Sequence, residues 1–296
     1  MPIYGKEPPW GKTRYLFSNN GVGSWLQHIR AWVKVAGKWE QVFGPGCTIG
    51  QVFVLHLDIE RWYDYVGPYG ALLGRTNPYP SLVTDDWVFG GGCLDVSPVY
   101  DSHLMGWIMR NVQVRGGPEI LDYGTGDFSF DFRYKFSPEI FNGDTSLQMY
   151  NLFIDGFPGT ELDCAWPRFA YLPPYSGKPS RLSALENTGA DGGPRTFDWT
   201  PAPVVNQWYH LALARYNGVV SYYVDGVEMG SYSCSDRVVF GNATGWEAYM
   251  TIGSTYDFRP GYSVAGAPGK IDEFRAMNGV SGFTGPFTPP VASYGE

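Results

Sequence analysis

The chain has 296 residues and a formal net charge of −8, with charged residues at 17% and hydrophobic ones at 44%. That length supports one or two domains with a large core, and so low a charged fraction excludes an acidic disordered segment. The negative charge and scattered basic residues exclude a phosphate-backbone partner, and no apolar run is long enough for a membrane span. Gly and Pro number 39 and 23, and aromatics reach 17%, a composition that interrupts helices and favours β-structure.

In chain order, Met1 to Asn20 lacks a regular period and reads as an extended arm, without the apolar segment of a signal peptide. Ile29, Ala31, Val33 and Val35 then alternate with His28, Arg30, Trp32 and Lys34, and Lys38–Val42 returns after Ala36-Gly37 as a hairpin partner. Gly44-Pro45-Gly46 breaks the chain, which sets a boundary between residues 1–49 and 50–296. Val52 to Asp58 is a nearly continuous apolar run, as in a strand buried on both faces. A Tyr/Pro/Gly loop follows, then strands over Cys93–Val96 and Trp107–Val114. Phe128, Phe130 and Phe132 alternate with Ser129, Asp131 and Arg133, the period of a half-buried strand. Residues 172–206 read mostly as loop. Trp208–Arg215 and Val219–Val224 are strands, and Asp225-Gly226 is a two-residue hairpin turn into Val227–Met229. Tyr249–Gly253 and Lys270–Arg275 complete a set of strands that suggests a two-sheet sandwich. The cysteines Cys47, Cys93, Cys164 and Cys234 form no CxxC pair and read as small buried apolar residues.

Seven segments carry a resemblance when taken in order. They are Phe53–Asp58, Gly90–Asp95, Tyr123–Phe132, Gln207–Ala212, Tyr222–Gly226, Gly269–Arg275 and Phe287–Pro290. Together they resemble the laminin-G-like, concanavalin A-like lectin/glucanase jelly roll of bacteriophage virion proteins. The likeness implies an all-β, two-sheet antiparallel jelly-roll sandwich with its first and last strands adjacent. It also implies that residues 1–49 are an arm and β-hairpin for virion attachment, with Trp10, Trp25, Trp32 and Trp39 as anchors. Trp208 and His210 share one strand face, and in such domains the pair is structural, which makes His210 a packed, hydrogen-bonded histidine.

Proteins of this type often hold one calcium ion at a sheet edge, and by resemblance its carboxylates would be Asp272, with Asp58 and Asp127 as further candidates. The alternative is that Asp272 accepts backbone N–H bonds beside Arg275. No other cofactor is required. Sugars stack on exposed aromatic faces, and two aromatic-rich loops offer Trp62, Tyr63, Tyr65 and Tyr69, and Trp166, Tyr171 and Tyr175; the same residues also suit packing anchors or protein contacts. A retaining glycosidase of this fold needs two carboxylates about 5–5.5 Å apart, and the chain lacks a Glu-x-Asp-x-Glu strand. The expectation is a non-enzymatic virion structural protein of the tail or capsid, assembled in the host cytoplasm. Its expected partners are other virion proteins, copies of itself and a host-surface glycan, without nucleic acid or membrane. A dedicated receptor-binding lectin of the tail tip, or a polysaccharide-degrading glycosidase, are the alternatives.

Overall fold

The computed structural model describes residues 81–89, 91–97, 122–138, 168–174, 177–184, 195–239 and 268–292, together with strands in the intervening segments. It divides into two compact units, Met1–Ile49 and Gly50–Glu296. In the first unit Tyr15–Asn19 pairs antiparallel with Trp25–Ile29, and Trp32–Val35 with Lys38–Gln41. The end of the expected arm is therefore a strand, and the expected strand through Ile29–Val35 is two strands. Trp25, Trp32 and Trp39 lie on these hairpins, while Trp10 lies outside the described residues.

The second unit is built on two large antiparallel sheets. One has eight strands, with Phe128–Phe136 between Trp208–Tyr216 and Gly269–Asn278, and Val219–Val224 and Val227–Ser233 continuing to one edge. The first strand, Gln51–Leu55, lies beside the last, with Gln51 opposite Asn278. The other sheet has seven strands and runs from Arg195–Asp198 through Arg181–Ala184, Arg168–Leu172, Asn151–Gly156, Tyr249–Gly253 and Asn111–Arg115 to Leu72–Arg75. Strand alternation sends Phe128, Phe130, Phe132, Tyr134 and Phe136 inward, where they meet Phe169, Tyr171, Met250 and Ile252 of the facing sheet in one core cluster. The rings of Phe132 and Phe169 cross edge to face at 5.4 Å, the geometry that the ring quadrupole favours. The fold is thus the all-β jelly-roll sandwich expected.

One irregularity decides what lies on the outer face. Phe132 pairs with Phe274 but Arg133 pairs with Asp272, so Glu273 is an extra residue in the last strand, with φ of 48°. This bulge keeps Ile271, Phe274 and Ala276 in the core while both Asp272 and Arg275 turn outward. Arg215, fully buried at the end of its strand, donates to the carbonyls of Gly124, Gly126 and Asp236 at 2.7 Å each, and its guanidinium stacks over Phe128. It ties the turn before the central strand to the loop that precedes Arg237–Val239.

Candidate functional site

The outer face of the eight-stranded sheet is a ladder of polar cross-strand rows. Trp208, Lys135 and Lys270 form one row, His210, Arg133 and Asp272 the next, and Ala212, Asp131 and Arg275 the third. Two segments of the chain fold over this ladder.

Loop 84–89 covers the first rows. Asp86 accepts hydrogen bonds from Lys135 Nζ at 2.9 Å, Lys270 Nζ at 2.6 Å and Trp208 Nε1 at 3.2 Å. Its partial burial alone would raise its pKa, but the bonds from Lys270, Lys135 and Trp208 outweigh that and bring the carboxyl down to about 2. Asp272 accepts the backbone N–H groups of Val88 and Phe89 on one oxygen at 2.7 and 3.0 Å. The Cys93 thiol donates to the Asp86 carbonyl, and burial pushes that thiol up to about 12, so it stays protonated.

A strap formed by residues 279–291 covers the other rows. Gly282 N–H donates to Ser129 Oγ, Phe287 N–H to the Gly226 carbonyl, and Arg133 Nη2 to the Pro290 carbonyl. Phe283 and Phe287 stack with their centroids 4.0 Å apart, and both rings lie against Tyr223 and His210. Arg133 also lies over the Phe89 ring, so this one side chain touches both coverings.

Beneath the strap lies a buried charge cluster. Asp131 accepts from Arg275 Nε at 2.8 Å on one oxygen, and from Arg275 Nη2 and His210 Nε2 at 3.0 Å each on the other. An ionised carboxylate only accepts, so His210 carries its proton on Nε2. Burial pushes Asp131 upward, yet the His210 bond and the Arg275 charge hold it below the usual carboxylate range. An Asp–His pair is also the core of a general-base couple. Here both side chains are fully buried, and the rings of Phe283 and Phe287 lie against His210. The strap meets this cluster through His210 and Arg275, which lie against its rings, and His210 is the packed, hydrogen-bonded residue expected.

The seven-stranded sheet carries a row of another kind. Register aligns Gly74, Gln113, Thr251, Asp155 and Arg168 in one row across five strands. The adjacent row contains Val112, Ile252, Ile154 and Phe169, of which Ile252 and Phe169 are core residues. The polar row is thus one position out of step with the core residues Ile252 and Phe169. The sequence reading missed it, because Asn151–Gly156 has no clean alternation and Arg168 sits between a proline and an apolar run.

Of the expected sugar-binding and calcium residues, Trp166, Tyr171, Asp127 and Asp272 fall within the described segments. Tyr171 is no surface platform: it is fully buried and packs edge to face on Phe136 and Trp199 at 5.1 and 5.9 Å. Its stretch is a strand rather than a loop, flanked by the strand Cys164–Trp166, which holds Trp166. Trp62, Tyr63, Tyr65, Tyr69, Tyr175 and Asp58 lie outside the described residues. Asp272 does what the alternative reading gave it, accepting backbone N–H groups. Asp127 precedes Phe128, opposite Asn278, whereas Asp272 is opposite Arg133, so the two lie roughly 20 Å apart along the strand. They do not share one calcium site; Asp127 instead accepts from Asn217 N–H at 2.9 Å. Among the described residues no group of three or more His, Cys, Asp or Glu side chains is set to hold a metal ion.

A family model described as the concanavalin A-like lectin/glucanases superfamily, Laminin_G_3, matches residues 170–281. No curated protein matches the chain. Among solved structures, domain 4 of AbnA, a GH43 extracellular arabinanase from Geobacillus stearothermophilus in complex with arabinotriose, is similar at 16% identity, over 79% of this chain and 84% of that one, with a TM-score of 0.39. The binding domain of Paraclostridial Mosquitocidal Protein 1 is similar at 9% identity, over 75% of this chain but 45% of that one, with a TM-score of 0.42. An endo-1,3-beta-glucanase from Streptomyces sioyaensis is similar at 10% identity, over 79% and 98% of the two chains, with a TM-score of 0.41. Residues 170–281, which supply strands to both sheets, are thus similar to the concanavalin A-like lectin/glucanases superfamily.

Proposed function

We propose that the chain is a non-enzymatic bacteriophage virion protein, of the tail or capsid, whose jelly roll recognises a host-surface glycan across its seven-stranded sheet. The observation that carries the glycan reading is the row of Gln113, Thr251, Asp155 and Arg168. It combines an amide, a hydroxyl, a carboxylate and a guanidinium, which between them donate to and accept from sugar hydroxyls. Three strand spacings give it a length on the order of 14 Å, enough for a short oligosaccharide laid across the strands. The cross-strand neighbours of Asp155 are Thr251 and Arg168, so the row supplies no second carboxylate at the separation that glycoside cleavage requires. That favours binding without turnover. The virion setting rests on the likeness of the seven ordered segments, and the separate Met1–Ile49 unit suits an attachment module.

The test is binding of the full chain to a glycan array and to host cells, with calcium and with chelator. Saturable binding is expected, weakened about tenfold or more by Asp155→Asn, the loss that removing a charged hydrogen-bond partner brings. A folded protein that binds neither would overturn the adhesive reading, and release of reducing ends from a bound polysaccharide would overturn the non-enzymatic one. The chain should also co-purify with phage particles through density-gradient banding; its absence from them would remove the virion assignment.

A further inference from the structure

Trp87 is 43% exposed, and its chain neighbours Asp86, Val88 and Phe89 are anchored. Before it, the Asp86 carboxylate is fixed by two ammonium groups and an indole N–H, and the Asp86 carbonyl accepts the Cys93 thiol. After it, both Val88 N–H and Phe89 N–H are bonded to the buried Asp272 carboxylate, and the Phe89 ring lies 5.5 Å from the Arg133 guanidinium. A loop held at so many points presents its one outward aromatic ring with little freedom left to lose on binding, and low ordering cost is a common property of binding hot spots.

The polar groups at this place are mixed in sign. Lys270 gives one bond to Asp86, and its side chain is 28% exposed; an ammonium carries three protons, so donors remain at the surface. Lys135 is less open, at 16%. Asp85, directly before Asp86, is exposed and adds an acceptor. Two ammoniums and two carboxylates leave this patch without net charge, which favours a neutral hydroxylated ligand over an acidic one. An exposed aromatic ring in a loop that also carries donors and acceptors matches a pyranose ring, apolar on its C–H face and hydroxylated at its rim.

We propose that Trp87 is a stacking platform for a neutral sugar ring, with Lys270 and Asp85 meeting its hydroxyls. The site belongs to loop 84–89 on the eight-stranded sheet, apart from the row on the seven-stranded sheet. It takes the same class of ligand and so rests on the glycan reading above. Two such contacts on one domain would let a single chain engage two stretches of glycan, and the gain would come from effective concentration rather than from new contacts.

The experiment is fluorine NMR of the full chain labelled with 5-fluorotryptophan, titrated with maltotriose, cellotriose and mannotriose, and with a hyaluronan tetrasaccharide as the acidic probe. The Trp87 resonance, assigned by its loss in Trp87→Phe, is expected to shift saturably with a neutral probe and not with hyaluronan. Trp87→Ala should lower the affinity at this site about tenfold or more, while Trp87→Phe retains part of it. Binding that Asp155→Asn weakens but that leaves the Trp87 resonance unmoved would overturn this site and leave the glycan reading standing. A preference for hyaluronan would overturn the neutral-sugar assignment. No shift anywhere, with no binding on the array, would overturn both.

Discussion

Replacing Asp131 by alanine is expected to lower the unfolding free energy by about 3–5 kcal/mol, the usual cost of removing one partner of a buried charge pair. The loss does not measure an attraction. It arises because the wholly buried His210 would lose its acceptor where water cannot replace it, and Arg275, whose side chain is 21% exposed, would lose both of its bonds to the carboxylate. Urea denaturation would read this as a lower midpoint. A triple variant that also replaces His210 by phenylalanine and Arg275 by methionine should recover most of the loss, because an apolar set of similar volume has no desolvation debt. If the triple variant is no more stable than Asp131→Ala alone, the cluster is not the source of the effect. The pH dependence has a definite sign. Asp131 titrates lower when folded, so its contribution is complete above the ordinary carboxylate pKa of about 3.9. It fades as the pH falls from there through the depressed folded value. The gap in stability between wild type and Asp131→Ala should therefore close in acid.

The second large effect is expected at Gly226. Asp225 and Gly226 have φ of 49° and 78°, the pair of positive angles that a two-residue hairpin turn demands. A Cβ at Gly226 would lie 1.8 Å from the Phe287 carbonyl oxygen, where the strap crosses the turn and Phe287 N–H bonds to the Gly226 carbonyl. Gly226→Ala therefore incurs roughly 1–2 kcal/mol for the left-handed backbone, and must also lift the strap. Hydrogen exchange should separate the two consequences. Amides of Gly282 and Phe287 should lose protection most, while Phe130 and Leu213, in the core between the sheets, should change least. Ala212, Ala214, Tyr223 and Phe283 form a small cluster of their own, apart from the main core, so strap release is a local opening. Uniform loss of protection over the whole domain would contradict this.

Much of the fold was legible because local and global signals agree. The phenylalanine alternation at 128–132 is a core strand, and the Asp-Gly turn joins the strands predicted on either side of it. Arg168–Leu172 was missed because Phe169-Ala170-Tyr171-Leu172 lies between prolines. A short apolar run in a proline-rich stretch looks like a loop, although here a second sheet buries it. The expected strand through Trp107–Val114 is two strands, Gly106–Ile108 and Asn111–Arg115, each with a different partner. The outer-face cluster was out of reach for another reason. Plain alternation puts Asp272 and Phe274 on one face; only the bulge at Glu273 separates them and brings Arg275 over Asp131. Which loop would cover which row depends on contacts between positions as far apart as Asp86 and Lys270, and no spacing in the sequence encodes that. Trp87 escaped notice because its neighbours, not its own type, make it distinctive.

The pairing of Gln51–Leu55 beside the last strand has a mechanical consequence. Gln51 and Asn278 sit at the same end of their shared ladder, so tension between residue 50 and the end of the last strand pulls both from one end. The hydrogen bonds between them would then part singly, as in a zipper, rather than in parallel. The strap changes the path of the load: beyond Asn278 the chain is next held at Ser129, Gly226 and Arg133, on the central strand and on the hairpin turn beyond it. Traction on the chain past the strap is spread over those strands before it reaches the zipper, so cutting the strap free should lower the force at which the domain's first strand peels away.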